Sequence, residues 1–243
     1  MDIQSFRSKM IQVFTEAGLG GLLNKDKVDR FYRLTELLLS ENEKYNLTAI
    51  TDVDRIIVQH YLDSAMLAPR LPKGARVADI GCGAGFPTLP LAILLDGVQF
   101  TAIDSTEKRI NYVNMVAGEL GLSNVTAVAM RAEDGAKDPR YREKYDIVTA
   151  RAVAEMRVLT ELCMGYAKVG GKFIAMKGKN AAFELQGAKK AIAIMGGGAV
   201  TLEEMTLKEG EEIFLHPFVT VVKKSKTPDG YPRPYAKISK KPL

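Results

Sequence analysis

Asp79-Ile80-Gly81-Cys82-Gly83-Ala84-Gly85-Phe86-Pro87 joins one short apolar run, residues 76–80, to another, residues 87–95. The first has the length and composition of a buried strand and the second those of a helix, while the three glycines permit a tight turn between them. Strand, glycine loop and helix in this order are the unit of a doubly wound sheet, which places its ligand at the loop. The alternation continues downstream. Residues 99–104, 125–130, 146–150 and 172–176 read as strands, and 107–120, 155–168 and 181–195 as helices. Gly196-Gly197-Gly198 reads as a turn and 213–222 as a late antiparallel hairpin strand. Upstream, Val28, Phe31, Tyr32, Thr35, Leu38 and Leu39 recur at spacings of three and four, so the first 70 residues read as helical. The expected architecture is α/β: a Rossmann-like, mostly parallel, doubly wound sheet with a late antiparallel strand and an N-terminal helical lead-in. Residues 1–70 are expected to form the helical extension, 71–224 the sheet domain and 225–243 a basic C-terminal tail.

A dinucleotide fingerprint reads G-x-G-x-x-G, whereas the spacing here is G-x-G-x-G, with Phe86 in the slot of the third dinucleotide glycine. A pyrophosphate would be crowded there. A nucleoside cofactor without phosphates needs no such room, and S-adenosylmethionine is the common one at loops of this type, so a methyltransferase version of the Rossmann-like fold is expected. Gly81 and Gly83 let the cofactor approach the backbone. Phe86 is biased away from helical geometry by Pro87, which suits a first helical position. Asp104 ends the second strand 19 residues after Gly85, placed to accept hydrogen bonds from ribose hydroxyls or else to cap the next helix. Arg131-Ala132-Glu133 follows the third strand, where a backbone N–H and a polar side chain would meet an adenine ring; Glu133 as a plain surface residue is the alternative. Ala150-Arg151-Ala152 follows the fourth strand, where methyl transfer would occur, with a salt-bridging structural arginine as the alternative for Arg151.

With 243 residues, 47% of them hydrophobic and 26% charged, the chain suits one globular unit. Its apolar runs are too short to cross a membrane, and its N-terminus lacks the features of a signal peptide, so a cytoplasmic protein is expected. Cys82 and Cys163 are too few for a disulfide framework, and with two histidines no zinc spacing can be assembled, so no metal is expected. The net charge of +5 is unevenly placed: residues 223–243 hold seven basic residues and one acid, a net +6, and the other 222 sum to −1. A basic end of this kind suits phosphate contact, or is simply a solvated tail.

Taken together, the residues resemble the bacterial 16S ribosomal RNA guanine-N7 methyltransferases, also called the glucose-inhibited division protein B family. The resemblance covers nearly the whole chain and includes Tyr45-Asn46-Leu47-Thr48, His60 with Asp63-Ser64, the glycine loop, Asp104-Ser105 with Lys108-Arg109, Arg131-Ala132-Glu133, Ala150-Arg151-Ala152, Lys177-Gly178 and Lys240-Lys241-Pro242-Leu243. It implies S-adenosylmethionine contact by Gly81, Phe86, Ala132, Glu133 and Arg151, and methylation of guanine 527 in the 530 loop of 16S rRNA. The tail departs from the family pattern, with Ala236 and Ile238 where members often carry glycine and proline. The implied partner is 16S rRNA or a small-subunit particle, with no membrane, and a monomer is expected. Guanine N7 has a free lone pair and no proton, so no general base is required and neither His60 nor Cys82 is assigned a catalytic role. Asp138-Pro139-Arg140-Tyr141 approximates the motif of exocyclic-amine methyltransferases but precedes the fourth strand, and neither cysteine is placed as a nucleophile. The rival readings are a nucleotide-dependent oxidoreductase and a non-catalytic RNA-binding protein on the same fold.

Overall fold

The computed structural model describes residues 1–209 and 212–243. Helix α1 (Ile3–Glu16) begins where the Asp2 side chain accepts from the Gln4 and Ser5 amides, and α2 (Lys25–Tyr45) begins under a similar cap from Asn24. α2 buries Val28, Phe31, Leu34, Thr35 and Leu38, largely the face its periodicity marks, with Tyr32 and Leu39 at the margin. A third run starts as α3 (Val53–Ile56), widens into a π-helical stretch over Ile57–Leu62 and closes as α4 (Asp63–Ala65).

The alternating part follows in chain order: β1 (Arg76–Ile80), α5 (Thr88–Leu94), β2 (Gln99–Asp104), α6 (Glu107–Glu119), β3 (Val125–Ala129), α7 (Ala132–Gly135), β4 (Tyr145–Arg151), α8 (Met156–Cys163) and β5 (Ala167–Met176). Then come α9 (Ala181–Ile194), β6 (Gly197–Glu203), β7 (Thr206–Glu209), β8 (Glu212–Leu215), β9 (Phe218–Lys223) and α10 (Tyr235–Lys240). Among the described residues seven strands form one sheet in the order β3-β2-β1-β4-β5-β9-β6, and β7 pairs with β8 in a separate hairpin. β1 to β5 are parallel, and β9 runs antiparallel between β5 and β6. Strand order reverses between β1 and β4, which opens a crevice at the carboxyl ends of those strands.

Alternate residues of each strand serve opposite faces. Val77, Ile147 and Ile174 join one apolar cluster with Phe6 and Phe14 of α1, Phe31 of α2, Tyr61, and Leu89 of α5. Ala78, Val148 and Ala175 join the other with Leu159 of α8, Ile192 of α9 and Ile238 of α10. The N-terminal helices thus share a core with the sheet, and Lys27 Nζ donates to the Leu94 carbonyl at 2.8 Å to fasten α2 to the end of α5.

Several elements depart from their expected limits for identifiable reasons. The helix expected over 155–168 stops at Cys163, because Tyr166 turns inward and donates its hydroxyl to the Ala132 carbonyl at 2.7 Å, after which the chain enters β5. Pro87 stands before α5 rather than inside it. Only Gly196 of the glycine triplet acts as a turn, since Gly197 pairs with Lys223 and opens β6. The strand expected over 213–222 breaks at His216-Pro217, where proline lacks an N–H. β8 goes to the hairpin, while β9 supplies the antiparallel strand.

The C-terminal residues are docked rather than solvated. The Arg142 guanidinium donates to the carbonyls of Thr227 at 2.7 Å and Tyr231 at 2.9 Å. Arg233 makes 2.8 and 2.6 Å bonds to the two carboxylate oxygens of Glu161, a residue with no solvent exposure. Lys223 is buried, donates to the Met164 and Met195 carbonyls, and has its pKa pulled down to about 8 by burial. Lys223 and Arg233 are therefore engaged internally, while Lys224, Lys226, Lys237, Lys240 and Lys241 are exposed.

Candidate active site

At the crevice lies a cavity of about 260 Å³ bordered by Gly81, Asp104, Arg109, Ala132, Glu133 and Tyr235, with Arg131, Ala152 and Val153 also on its wall. Gly81 has φ +73°, and a Cβ there would stand 2.5 Å from Val153 Cγ2, so glycine is required for both conformation and space. Gly83 has φ +55° and faces open space; its N–H donates to Asp104 Oδ2 at 3.1 Å. Asp104 Oδ1 accepts from the Thr106 amide at 2.8 Å. Thr106, rather than Asp104, occupies the N-cap position of α6, so the carboxylate ties the glycine loop to the β2 end while bordering the cavity. Ala132 and Glu133 open α7, where no side-chain cap takes up the free first-turn amides. Tyr166 fixes that turn through the Ala132 carbonyl, and Glu133 is itself buried.

Gly81, Gly83, Asp104, Ala132 and Glu133 are thereby brought together, but Arg151 and Phe86 belong to an adjoining cluster. Arg151 donates to Asp63 Oδ2 at 2.8 Å and to the Gln59 carbonyl at 3.0 Å, both on the helical run that contains the π-helix. Its other terminal nitrogen lies 3.2 Å from His60 Nδ1. Nδ1 also lies 3.2 Å from the Gln59 carbonyl, so it stands between a donor and an acceptor, while Nε2 lies 2.9 Å from Thr48 Oγ1. Burial and the Arg151 charge push the His60 pKa down to about 4, in keeping with a neutral ring. That ring stacks on Phe86 with centroids 4.4 Å apart, and the Arg151 guanidinium lies 5.4 Å from the Phe86 centroid. His216, in the connection between β8 and β9, lies 3.0 Å from Asp63 Oδ1. Burial pushes the pKa of Asp63 up, but His216 and Arg151 together outweigh it and hold the carboxylate below its ordinary range.

This cluster borders a second cavity of about 340 Å³, lined by Gln59, His60, Asp63, Arg151, Lys177 and His216 among others. Ala152 belongs to both cavities, and its φ of +55°, uncommon for a residue with a Cβ, turns the chain between them. Beneath the glycine loop, Asp79 accepts from the hydroxyls of Thr88 at 2.8 Å and Thr149 at 3.3 Å, and its complete burial pushes its pKa up to about 7. Cys82 and Cys163 are also buried, and burial pushes both thiols up, away from nucleophilic reactivity. Asp138 and Arg140 pair with each other at 2.6 Å in an exposed turn after α7, away from both cavities. Among the described residues no cluster of His, Cys, Asp or Glu is arranged to hold a metal ion, and no helix is long and apolar enough to cross a membrane.

Sequence reasoning left Tyr235, Asp63 and His216 without a role. Asp63 carried a signal in its place on an apolar helical run, where a carboxylate needs a buried partner. Tyr235 and His216 reach their places only through folding of distant chain segments.

The chain is 44% identical over 227 residues to the ribosomal RNA small subunit methyltransferase G of Clostridium perfringens, with 93% of this chain and 94% of that one covered. It is 40% identical over 245 aligned positions to the protein of the same name from Acetivibrio thermocellus, covering all of both. A S-adenosylmethionine-dependent O-methyltransferase from Thermotoga maritima shares the fold at 16% identity and a TM-score of 0.53, over 79% of this chain and 72% of that one. A geranyl diphosphate C-methyltransferase from Streptomyces coelicolor does so at 14% identity and a TM-score of 0.51, over 67% and 78%. The model of the GidB family, rRNA small subunit methyltransferase G, matches residues 27–213, a span from within α2 into β8 that includes the lining of both cavities apart from Tyr235 and His216. The strand order, the loop at its reversal and this agreement over most of the sequence lead to one assignment: the chain belongs to the GidB family of small-subunit rRNA methyltransferases.

Proposed function

We propose that the protein transfers a methyl group from S-adenosylmethionine to guanine N7 of 16S rRNA, at guanine 527 in the 530 loop. The observation that carries this reading is the cavity at the strand reversal, where Gly81, Asp104 and Glu133 meet on one wall. The donor set fits a nucleoside sulfonium cofactor. Asp104 presents a carboxylate for ribose hydroxyls, the first turn of α7 offers free amides beside buried Glu133, and the space beside Gly83 is open.

When bound, S-adenosylmethionine supplies an electrophilic methyl on a cationic sulfur. The chain's own task is then alignment and exclusion of water, because guanine N7 attacks with its own lone pair. Gly81 and Ala152 stand just beyond the paired ends of β1 and β4 and line the first cavity, and the second cavity beyond Ala152 gives an extruded base a place beside the first. Extrusion or a loop target is required, since N7 lies in the narrow major groove of an RNA helix. A bare cation aimed at the reacting atoms would oppose formation of a positively charged purine. Arg151 avoids this by pairing with Asp63, whose negative charge compensates it. His60 is held neutral, and the buried thiols stay protonated.

The test is to map N7-methylguanine in 16S rRNA from cells with and without the gene, together with transfer of labelled methyl from S-adenosylmethionine by the purified protein. Loss of one modified guanine on deletion and its restoration in vitro are expected. A full set of modified guanines in the deletion strain would overturn the assignment.

A further inference from the structure

We infer that the C-terminal segment is a wall of the nucleoside site, with the ring of Tyr235 as the surface on which the ligand's purine stacks; this rests on the cofactor reading above. Tyr235 borders the same cavity as Gly81, Asp104 and Glu133, although about 100 residues of chain separate it from the nearest of them. Its side chain is not buried as a packing residue would be: the residue is 40% exposed and lies on the cavity wall. The Arg131 guanidinium sits 5.4 Å from its ring centroid, a cation–π contact that orients the ring at the residue preceding Ala132.

What holds Tyr235 there is specific. Two residues earlier Arg233 grips buried Glu161 of α8 through its amide and guanidinium, and three residues later Ile238 is fully buried against the second core cluster. A segment merely offering lysines to phosphates needs neither anchor. An aromatic ring lining the same cavity as a glycine loop and a ribose-binding carboxylate offers a surface for a flat heterocycle, and aromatic stacking of a base contributes enough to change affinity about tenfold.

Calorimetric titration of the full-length protein with S-adenosylhomocysteine and, separately, with adenosine tests this. Tyr235→Ala is expected to weaken both ligands by about tenfold and by a similar factor, since the contact is to the purine they share. Tyr235→Phe should bind as the wild type does, because the ring and not the hydroxyl stacks. Arg233→Ala should weaken both ligands although Arg233 does not border the cavity. Unchanged affinity in Tyr235→Ala, or a Phe variant as weak as the Ala variant, overturns the proposal. Normal ligand affinity with weakened rRNA binding in Tyr235→Ala also overturns it, and makes the ring an RNA contact instead. A wild-type protein that binds neither ligand removes the cofactor reading itself, and the stacking proposal with it.

Discussion

Arg151 and Asp63 form a pair in which the carboxylate side chain is 1% exposed and the guanidinium 17%. Removing Arg151 leaves buried Asp63 with the His216 contact alone, and breaking a buried pair in this way costs about 3 kcal/mol or more. Arg151→Ala is therefore expected to lower the melting temperature by roughly 6–12 °C in a chain of this size, in addition to lowering activity. Arg151→Lys keeps the charge but not the fork that reaches Asp63, Gln59 and His60 together, so it should fall between Ala and wild type in a thermal melt. Gly81 and Gly83 separate in the same way. Gly83→Ala meets nothing and should lose only about 1–2 kcal/mol from its left-handed conformation, whereas Gly81→Ala also forces Val153 to move and should weaken ligand binding more strongly in calorimetry. Two buried titrating groups give opposite pH slopes. Asp79, raised from 3.8 to about 7, contributes stability that is fully present below pH 3.8 and lost as pH rises through about 7. His60, lowered from 6.5 to about 4, contributes stability present above pH 6.5 and lost as pH falls through about 4. Asp79→Asn should remove the decline towards neutral pH and leave a melting temperature that rises between about pH 4 and 6.5; an unaltered pH profile would show that Asp79 is not the titrating group. Of these residues the glycines and Asp104 were legible in the sequence because a turn and a strand end are local. The partner of Arg151 was not, because Asp63 lies 88 residues away.

Strands β1 and β2 lie where apolar periodicity puts them, because each has a strand on both sides and its pattern reports its burial. β6 escaped notice for the opposite reason: it is an edge strand whose residues are mostly exposed, and it opens with glycines. α10 was hidden inside a run of lysines and prolines. Its docking depends on Arg142 and Glu161, which are 89 and 72 residues from the tail groups they hold. Composition reports charge but not this capture. Arg142→Ala removes the donor shared by the Thr227 and Tyr231 carbonyls, so proteolysis should cut within residues 225–243 of that variant while sparing the wild type. Mass spectrometry of the digests reads the result, and equal resistance would mean that Arg233 and Ile238 suffice as anchors.

The whole molecule buries its N-terminal helices in the same cluster as one face of the sheet. We propose on that basis that the division at residue 70 marks a change of pattern rather than a boundary between independent units. A chain of residues 71–243 should expose the side of Leu89, Val77 and Ile147 now covered, and is expected to bind a hydrophobic dye and to melt without a cooperative transition. A sharp melt for that fragment would overturn the expectation. The place of β9 between β5 and β6 has a different consequence, one of timing. As the chain is made from its N-terminus, β5 is left with an open edge, and β6 waits without its neighbour until β9 arrives from the final tenth of the sequence. Tyr235 follows later still. A protein that modifies ribosomal RNA thus completes its sheet and its cavity only after β9 and Tyr235 have been made, and a message truncated before them encodes a chain with the glycine loop intact but with neither the sheet nor the cavity complete.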